Sequence, residues 1–372
     1  MKYVMVTNIP APYREKVHEN VSKYFWDEYL VVYADKKESN REWQFDDGNY
    51  KKIFLKKFLF EYKEKFIHIN FDVWTILNKY NPQVVITCGF NPTFLMAFLW
   101  AKLKHKKHIC MTDGGVGSEK RLSFLHRLVR KVVYKYSDAF IGASDKSLDL
   151  YRCYRCDENK LFKSCLCIDN DYYAKFIKKM EDRKYDIMFS GRFVDGKMPM
   201  FFAEICDELN KKIIDLKVLI IGDGELKSVF LDKLQEYKIN FDYPGFIDQK
   251  KLPLYYADSK ILLFPTKTDT WGIVANEACA VGTPVITMES AGVSGELVKH
   301  DYNGYILDLN IETWAKYSES LLKDNKLHSI FSKNSLEEVK NYSYRRAAKG
   351  IIDAINYVKI KNKKRSKKRW IN

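Results

Sequence analysis

Two acidic residues lie eight positions apart around the predicted start of a helix. Asp269 is in the loop after a buried strand, and Glu277 is about a turn and a half inside a helix predicted to begin at about Trp271. The start of a helix carries unpaired N–H groups and positive charge, so the amides of Gly272, Ile273 and Val274 could bind a diphosphate. The span suits a nucleotide sugar, with one carboxylate at the sugar hydroxyls and the other at the ribose. The alternative is that Asp269 caps the helix and Glu277 is a surface acid.

A pair of cations follows an earlier predicted strand. In SGRFVDGK, Gly191 and Arg192 come directly after the strand, and Lys197 precedes a helix that has Pro199 near its start. Gly191 lets the backbone approach a ligand closely, and the two cations can reach one pair of phosphates. This pattern predicts an anion site. The alternative is an ordinary strand-to-helix turn with exposed charges.

Another turn between a strand and a helix carries two glycines. Gly222 and Gly224 match the first half of the dinucleotide fingerprint G-x-G-x-x-G, but Lys227 stands where the third glycine belongs. The motif is therefore weak support for NAD binding. We keep Gly222 as a candidate position for binding the donor.

The elements that must position these residues form two series of short β-rich runs separated by helical patterns. The runs lack strict alternation, which is typical of parallel sheets covered on both faces. Two series predict two doubly wound α/β domains, joined in the charged stretch 178–185, with ligands at the carboxyl ends of the strands. The predicted strands are Tyr3–Thr7, Tyr29–Tyr33, Val84–Thr87, His108–Met111, Ala139–Ile141, Asp186–Ser190, Lys217–Ile221, Ile261–Phe264, Pro284–Thr287 and Tyr305–Leu307.

Composition favours a folded, basic protein of about two domains. The chain has 372 residues, of which 46% are hydrophobic and 30% are charged. The longest apolar run, Phe94–Ala101, is far shorter than the ~20 residues that span a bilayer, and the N-terminus lacks the features of a secretory signal. Eight cysteines without small-domain spacing suit a reducing compartment. We therefore expect a cytoplasmic location.

Positive charge is distributed unevenly along the chain. Residues 1–180 carry 32 basic and 21 acidic side chains, residues 181–358 carry 23 and 27, and residues 359–372 carry 8 and 0. This asymmetry predicts an anionic partner. Residues 119–136 have the pattern of a basic amphipathic helix, which suits a membrane surface. The alternative is a helix with a solvated basic face whose apolar stripe packs on a sheet. No nucleic-acid-binding motif is present in the sequence, so we expect no nucleic-acid partner.

Taken together and in this order, the motifs between residues 185 and 307 resemble the C-terminal domain of glycosyltransferase family 4. These are retaining nucleotide-sugar transferases with the GT-B fold. The similar segments are SGRFVDGK, IIGDGEL, YPGFIDQKKLPLYYADSKILLFPTKTDTWGIVANEACAVGTPVIT and SAGVSGELVKHDYNGYIL. Near the N-terminus, VTNIPAPYREKV resembles the first strand and acceptor-side loop of members that build bacterial surface polysaccharides, such as lipopolysaccharide or capsule.

The resemblance implies two Rossmann-like domains facing a central cleft. These would be an acceptor-binding domain at 1–180 and a nucleotide-sugar-binding domain at 181–343, followed by a helix at 344–358 that returns to the first domain and a basic tail at 359–372. The implied reaction moves a sugar from a nucleoside diphosphate, UDP in preference to GDP, to a hydroxyl of a glycan acceptor with retention and without a metal cofactor. The acceptor would be linked to undecaprenyl diphosphate. The basic first domain and tail would hold the protein at the inner face of the membrane.

The resemblance also assigns roles to individual residues. The family's diphosphate-binding Arg and Lys fall on Arg192 and Lys197. In the family's Glu-x7-Glu pair, the second Glu holds the ribose and falls on Glu277, whereas the first contacts the donor sugar and falls on Asp269. Asp is one methylene shorter, so the donor would sit differently or be a different sugar. Several relatives place a His near the reacting carbon after a mid-domain strand, and this chain has Asp113 at the comparable position.

Other motifs have weaker support. Asp169-Asn170-Asp171 imitates a metal-binding DxD, but its place after a strand-like segment favours a pair of loop acids. Four cysteines could in principle hold zinc, but two of them alternate on one face of an apparent strand, as core residues do. His18 is interpreted as a packing or surface residue. The family's loop near the phosphates fits residues 292–296 only with one extra residue. The cysteines are Cys153, Cys156, Cys165 and Cys167.

Two other functions remain possible from the sequence. An NAD-dependent or sugar-epimerising Rossmann enzyme would fit the α/β pattern, but the glycine fingerprint is incomplete. A non-catalytic nucleotide-sugar-binding partner subunit would fit if the Asp at position 269 marks lost activity. Turnover of the donor distinguishes an enzyme from such a subunit.

Overall fold

A computed structural model of the protein forms two compact units. The first unit contains Met1–Leu166 together with Tyr344–Asn372, and the second contains Cys167–Ser343. The residues that the structure describes are 1–37, 48–56, 59–62, 65–119 and 122–368.

In the first unit, strands and helices follow one another along the chain. The predicted strands Tyr3–Thr7 and Tyr29–Tyr33 have these bounds in the structure. The elements are β1 (Tyr3–Thr7), α1 (Pro12–Tyr24), β2 (Tyr29–Tyr33), β3 (Lys52–Phe54), β4 (Leu59–Tyr62), β5 (Lys65–His68), α2 (Asp72–Tyr80), β6 (Val84–Cys88), α3 (Pro92–Leu103), β7 (Lys107–Thr112), α4 (Val116–Glu119), α5 (Phe124–Tyr136), β8 (Ala139–Gly142), α6 (Asp145–Cys153) and β9 (Leu161–Lys163).

The first unit is built on a parallel sheet with the strand order β3-β2-β1-β6-β7-β8-β9. β4 and β5 pair separately as an antiparallel two-stranded sheet. Val4 and Val6 of β1 are fully buried in a core cluster that also contains Trp100 of α3. The strand order reverses between β1 and β6, so the carboxyl ends of these two strands define the switch point of the sheet.

The second unit repeats the pattern with its own elements. The predicted strand Lys217–Ile221 has these bounds in the structure. The elements are α7 (Asn170–Tyr173), β10 (Tyr185–Ser190), α8 (Pro199–Asn210), β11 (Lys217–Ile221), α9 (Lys227–Glu236), β12 (Asn240–Gly245), α10 (Leu252–Ala257), β13 (Ser259–Phe264), α11 (Ile273–Ala280), β14 (Val285–Thr287), β15 (Gly304–Ile306), α12 (Ile311–Lys323) and α13 (Asn325–Val339).

The sheet of the second unit is parallel and has the order β12-β11-β10-β13-β14-β15. Its switch point lies between β10 and β13. Ile187 and Ile261 from these strands are fully buried in one core cluster with Phe202 of α8 and Trp314 of α12. Two doubly wound units with parallel sheets confirm the predicted fold class.

The last helix, α14 (Tyr344–Lys368), belongs to the first unit. It packs against α1 and β9, and its Ile351 and Ile355 side chains are fully buried. The sequence placed the end of this helix at residue 358 and a separate basic tail after it. The structure instead continues the helix through residue 368, and residues 369–372 lie outside the described residues.

The division between the units also differs from the predicted one. The sequence placed it at 180/181, whereas the structure places it between Leu166 and Cys167. The reason is that α7 packs against α11 of the second unit. The Asn170 side chain donates hydrogen bonds of 3.0 Å to the carbonyls of Val339 and Tyr342. These partners are distant in sequence, so the charged stretch at 178–185 did not reveal the division.

Some strands were not predicted. β3 and β9 are three-residue edge strands, too short for a periodic signal. β12 alternates exposed and half-buried side chains and ends in Pro-Gly, a pattern that also indicates a turn.

Candidate functional site

The switch point of the second sheet gathers two loops that carry most of the predicted site residues. β10 leads through one loop into α8, and β13 leads through residues 265–272 into α11. The backbone amide of Lys267 and the hydroxyl of Thr266 each donate a 3.0 Å hydrogen bond to the carbonyl of Gly196. The two loops are therefore tied together at the edge where open α/β sheets bind ligands.

Gly222 packs directly against the loop that follows β10. A Cβ atom on Gly222 would lie 1.8 Å from the carbonyl oxygen of Gly191, and its φ is +134°. Only glycine fits there without displacing the neighbouring backbone. Arg192 follows Gly191 with an exposed side chain. Gly222 thus has a packing role that aligns the ends of β10 and β11, apart from the role in binding the donor predicted for it.

Lys197 and Asp269 form an ion pair that joins the two loops. Both side chains are about four-fifths buried, with exposed fractions of 21% and 20%. Asp269 Oδ1 also accepts a 3.1 Å hydrogen bond from the amide of Trp271. The N-cap residue of α11 is Gly272, so the alternative that Asp269 caps this helix is wrong.

The start of α11 has backbone amides without a side-chain cap from the described residues. Gly272 has a φ of +106°, and a Cβ atom there would lie 2.4 Å from the ring of Phe264. No side chain caps the helix, and the first helical residues Ile273 and Val274 are half-buried. The sequence placed the helix start near Trp271, two residues earlier than the structure does. Uncapped amides and the helix dipole favour negative charge at this position.

Glu277 is buried, with an exposed fraction of 6%, so the alternative of a surface acid is wrong. Its Oε2 lies 2.7 Å from the hydroxyl of Tyr256, and its Oε1 lies 3.3 Å from the hydroxyl of Tyr173. The Tyr256 hydroxyl is also 2.9 Å from Ser190 Oγ at the end of β10. Burial raises the pKa of Glu277 to about 7, against the opposing effect of the two tyrosine hydrogen bonds.

Asp113 lies in the first unit, directly after β7. One of its oxygens is 3.5 Å from the guanidinium of Arg14 on α1. Arg14 Nη1 also donates a 3.0 Å hydrogen bond to Ser164 Oγ, just after β9. Arg14 therefore connects the ends of β7 and β9. The donor-site candidates are all in the second unit, whereas Asp113 has its own partners in the first.

Sequence reasoning missed Arg14, Tyr173 and Tyr256. A cation just after the first strand was a detectable signal for Arg14, because the carboxyl end of that strand is a predicted binding edge. A buried carboxylate needs hydrogen-bond donors, but that rule does not say which residues supply them. Nothing in the local sequence singled out the two tyrosines.

The weaker motifs have ordinary structural partners. Asp169 caps α7 by accepting a 3.0 Å hydrogen bond from the amide of Tyr172. His18 is buried, its Nδ1 lies 3.0 Å from the hydroxyl of Tyr29, and burial lowers its pKa to about 3. The loop 292–296 packs on the residues before α11, where the amide of Val293 donates a 2.9 Å hydrogen bond to the carbonyl of Trp271.

The described residues contain neither a candidate metal-binding cluster nor a candidate membrane-spanning helix. No group of three or more His, Cys, Asp or Glu side chains in these ranges is arranged to hold a metal ion. Likewise, none of the described helices is both long enough and apolar enough to cross a membrane.

The chain is similar to known proteins both in sequence and in fold. Residues 173–338 match the sequence model of the family described as "Glycosyl transferases group 1". The crystal structure of Anabaena Alr3699/HepE in complex with UDP superimposes with a TM-score of 0.76 at 12% identity, over 96% of this chain and 100% of that one. The fold is therefore that of the GT-B glycosyltransferases.

Proteins with similar sequences include two bacterial transferases. The 2-deoxystreptamine N-acetyl-D-glucosaminyltransferase of Niallia circulans is 25% identical over 182 residues, covering 45% of this chain and 47% of that protein. The GalNAc-alpha-(1->4)-GalNAc-alpha-(1->3)-diNAcBac-PP-undecaprenol alpha-1,4-N-acetyl-D-galactosaminyltransferase of Campylobacter jejuni is 23% identical over 220 residues, covering 58% and 59%. The chain spans about half the length of the curated relatives that it matches first.

Proposed function

We propose that the chain is a retaining glycosyltransferase of family 4 that moves a sugar from a nucleoside diphosphate to a hydroxyl of a glycan acceptor. The observation that carries the proposal is the Lys197–Asp269 pair beside the uncapped start of α11, with the buried Glu277 carboxyl one turn further along the helix. All of these residues lie within the segment that matches the group 1 glycosyl transferases.

The proposed donor is a UDP-sugar. Arg192 and Lys197 would bind the diphosphate together with the amides of Ile273 and Val274, and Glu277 would accept hydrogen bonds from the ribose hydroxyls. The UDP in the crystal structure of the similarly folded Anabaena protein supports a uridine nucleotide. No metal ion is part of the proposal, because two cations and a helix start already supply positive charge.

The chemistry requires stabilisation of a leaving diphosphate. As the bond to the sugar breaks, negative charge grows on the diphosphate, and fixed donors around it lower the barrier. Asp269 holds Lys197 in an ion pair. Once a diphosphate takes over part of that cation's charge, the Asp269 carboxylate becomes available to the hydroxyls of the donor sugar.

The proposed acceptor is a glycan linked to undecaprenyl diphosphate, in the synthesis of a cell-surface polysaccharide such as lipopolysaccharide or capsule. The printed name of the Campylobacter relative describes an acceptor of this lipid-linked kind. Asp113 is the proposed acceptor-side residue. The protein would be cytoplasmic and peripheral at the inner face of the membrane, attracted by the positive charge of its N-terminal half and last residues.

Thermal unfolding with UDP, GDP, ADP or NAD at ~1 mM tests the donor class. A ligand present at ~100 times its dissociation constant stabilises the fold by ~2.7 kcal/mol, which raises the melting temperature by several degrees. We expect UDP to do so for the wild type and for the surface variant Glu337→Gln, but not for Glu277→Ala. A response to NAD alone would favour the dinucleotide enzyme instead.

Measurements of turnover and of product stereochemistry test whether the chain is an enzyme and whether it retains the anomeric configuration. We expect hydrolysis or transfer of a UDP-sugar, with NMR of the first-formed product showing the anomeric configuration of the donor. Binding of UDP-sugars without any turnover would favour the non-catalytic subunit. A product with inverted configuration would refute retention but leave the donor site intact.

A further inference from the structure

Helix α5 of the first unit exposes an apolar face to solvent. Phe124 is 82% exposed and Leu125 is 66% exposed at the start of the helix. Leu128, Val132 and Tyr136 follow with exposed fractions of 45%, 44% and 55%. Phe124 and Leu125 lie four and three residues before Leu128, and Val132 and Tyr136 follow at intervals of four, so these side chains form a stripe along one side of the helix. An isolated exposed leucine is ordinary, but a contiguous stripe of this kind marks an interaction site.

The buried residues of α5 show that this stripe is not the face of the helix that packs against the core. Val133 and Tyr134 are the buried residues of the helix, and Val129 packs with them against the core cluster of Phe140 and Tyr151. The sequence left open whether the apolar stripe of this segment packs inward. The structure divides it, because Val129 and Val133 face the core while the stripe faces solvent.

Basic side chains border the exposed stripe. Arg127, Lys131 and Lys135 are all exposed. Arg130, in contrast, points away from the stripe, where it pairs with Glu119 at 3.1 Å and stacks 4.5 Å from the ring of Phe90. The sequence has no acidic residue between Glu119 and Asp138. The outer face of α5 therefore combines apolar and positive groups, and the helix itself contains no acidic residue.

We propose that this face of α5 docks on an anionic lipid bilayer, with Phe124, Leu125 and Leu128 entering the interface and Arg127, Lys131 and Lys135 contacting lipid phosphates. The pattern is that of a helix lying in the plane of a membrane surface. A nucleic acid would use the cations but leave the apolar stripe in water. The proposal rests on the proposed function for its biological purpose, because it places the lipid-linked acceptor at the same surface.

Co-sedimentation with vesicles tests the docking without any sugar transfer. The vesicles are phosphatidylcholine alone, or phosphatidylcholine mixed with phosphatidylglycerol. The charge variant is Arg127→Gln/Lys131→Gln/Lys135→Gln, and the apolar variant is Phe124→Gln/Leu128→Gln. Glutamine preserves helix propensity, and all five side chains are exposed, so both variants should fold. Matched controls in the second unit are Lys316→Gln/Lys326→Gln/Lys333→Gln and Val229→Gln/Ile330→Gln, which also replace exposed side chains.

We expect the wild type and both controls to bind the anionic vesicles and to bind the neutral ones weakly. Each basic residue near an anionic surface strengthens partition about fivefold, so the charge variant should lose on the order of a hundredfold. The apolar variant should lose on the order of tenfold or more on the anionic vesicles. Circular dichroism and the UDP-induced thermal shift should match the wild type for both.

Several results would overturn the docking proposal. These are equal binding to neutral and anionic vesicles, no binding to either, or equal losses in the controls. Self-association of the wild type that is abolished by Phe124→Gln/Leu128→Gln would instead make the face an interface between two copies of the chain. A lost vesicle interaction with an intact UDP shift refutes only the docking. A missing UDP shift with intact vesicle binding refutes only the proposed function.

Discussion

Replacing Glu277 by Gln should make the folded protein more stable at alkaline pH while weakening its binding of a UDP-sugar. Burial raises the pKa of Glu277 to about 7 in the folded protein, whereas the ordinary pKa of a Glu side chain is 4.5. At 1.36 kcal/mol per unit, this difference corresponds to about 3 kcal/mol. Because the pKa of Glu277 is raised on folding, its contribution to the free energy of unfolding is greatest below about pH 4.5. That contribution is lost as the pH rises through about 7.

Gln cannot ionise, so the stability of the Glu277→Gln variant does not decrease in this way as the pH rises. The free energy of unfolding of Glu277→Gln relative to the wild type should therefore increase by about 3 kcal/mol between about pH 4.5 and pH 8. Urea denaturation at several pH values measures this difference. The surface variant Glu337→Gln, whose side chain is 67% exposed, should show no comparable trend. A constant difference between Glu277→Gln and wild type across this range would refute the assignment of a buried, protonated Glu277.

Donor binding should show the opposite pH dependence. If the ribose hydroxyls require the ionised Glu277 carboxylate, the affinity for UDP-glucose should rise about tenfold between pH 6 and pH 8 in the wild type. UDP-glucose is preferred to UDP because its diphosphate has no group that titrates in this range. Calorimetry in buffers of different ionisation enthalpy should detect release of about one proton per ligand near pH 6. An affinity that is independent of pH, or equal in Glu277→Gln, would refute the ribose role.

Three further variants test other parts of the site. Gly222→Ala should destabilise the protein by at least about 2 kcal/mol and weaken UDP-glucose binding, because its Cβ would lie 1.8 Å from the Gly191 carbonyl oxygen. Gly196→Ala has open space around its Cβ and is the control, and equal melting temperatures for the two would contradict this reasoning. Asp269→Asn removes the partner of Lys197, so UDP should bind as tightly as in wild type or more tightly while transfer slows. Unchanged turnover would exclude a role at the donor sugar. Arg14→Gln removes the cation beside Asp113, the proposed acceptor-side residue, so it should slow transfer by about tenfold or more without changing UDP-glucose affinity. An unchanged rate would exclude a role for Arg14 in positioning Asp113.

The sequence by itself determined the class of fold and the edge at which the site lies. Runs such as Tyr3–Thr7 and Lys217–Ile221 are mainly apolar and are followed by a polar residue or glycine, so their strands have the predicted bounds. Alternation of such strands with helices requires parallel sheets, and it places the residues after each strand at one edge. The same reasoning predicts that Arg192, Lys197 and Asp269 lie after strands at this edge.

Only the tertiary structure decided the environment of each group. The pairing of Lys197 with Asp269 and the enclosure of Glu277 by Tyr173 join residues 72 and 104 positions apart. Because α7 packs against α11, it belongs to the second unit, and the division between the units lies between Leu166 and Cys167 rather than at the predicted position. A local pattern records which side of an element is apolar, but not which distant side chain will cover it. For this reason the sequence identified Glu277 as a candidate, but its burial and raised pKa emerged only from the folded chain.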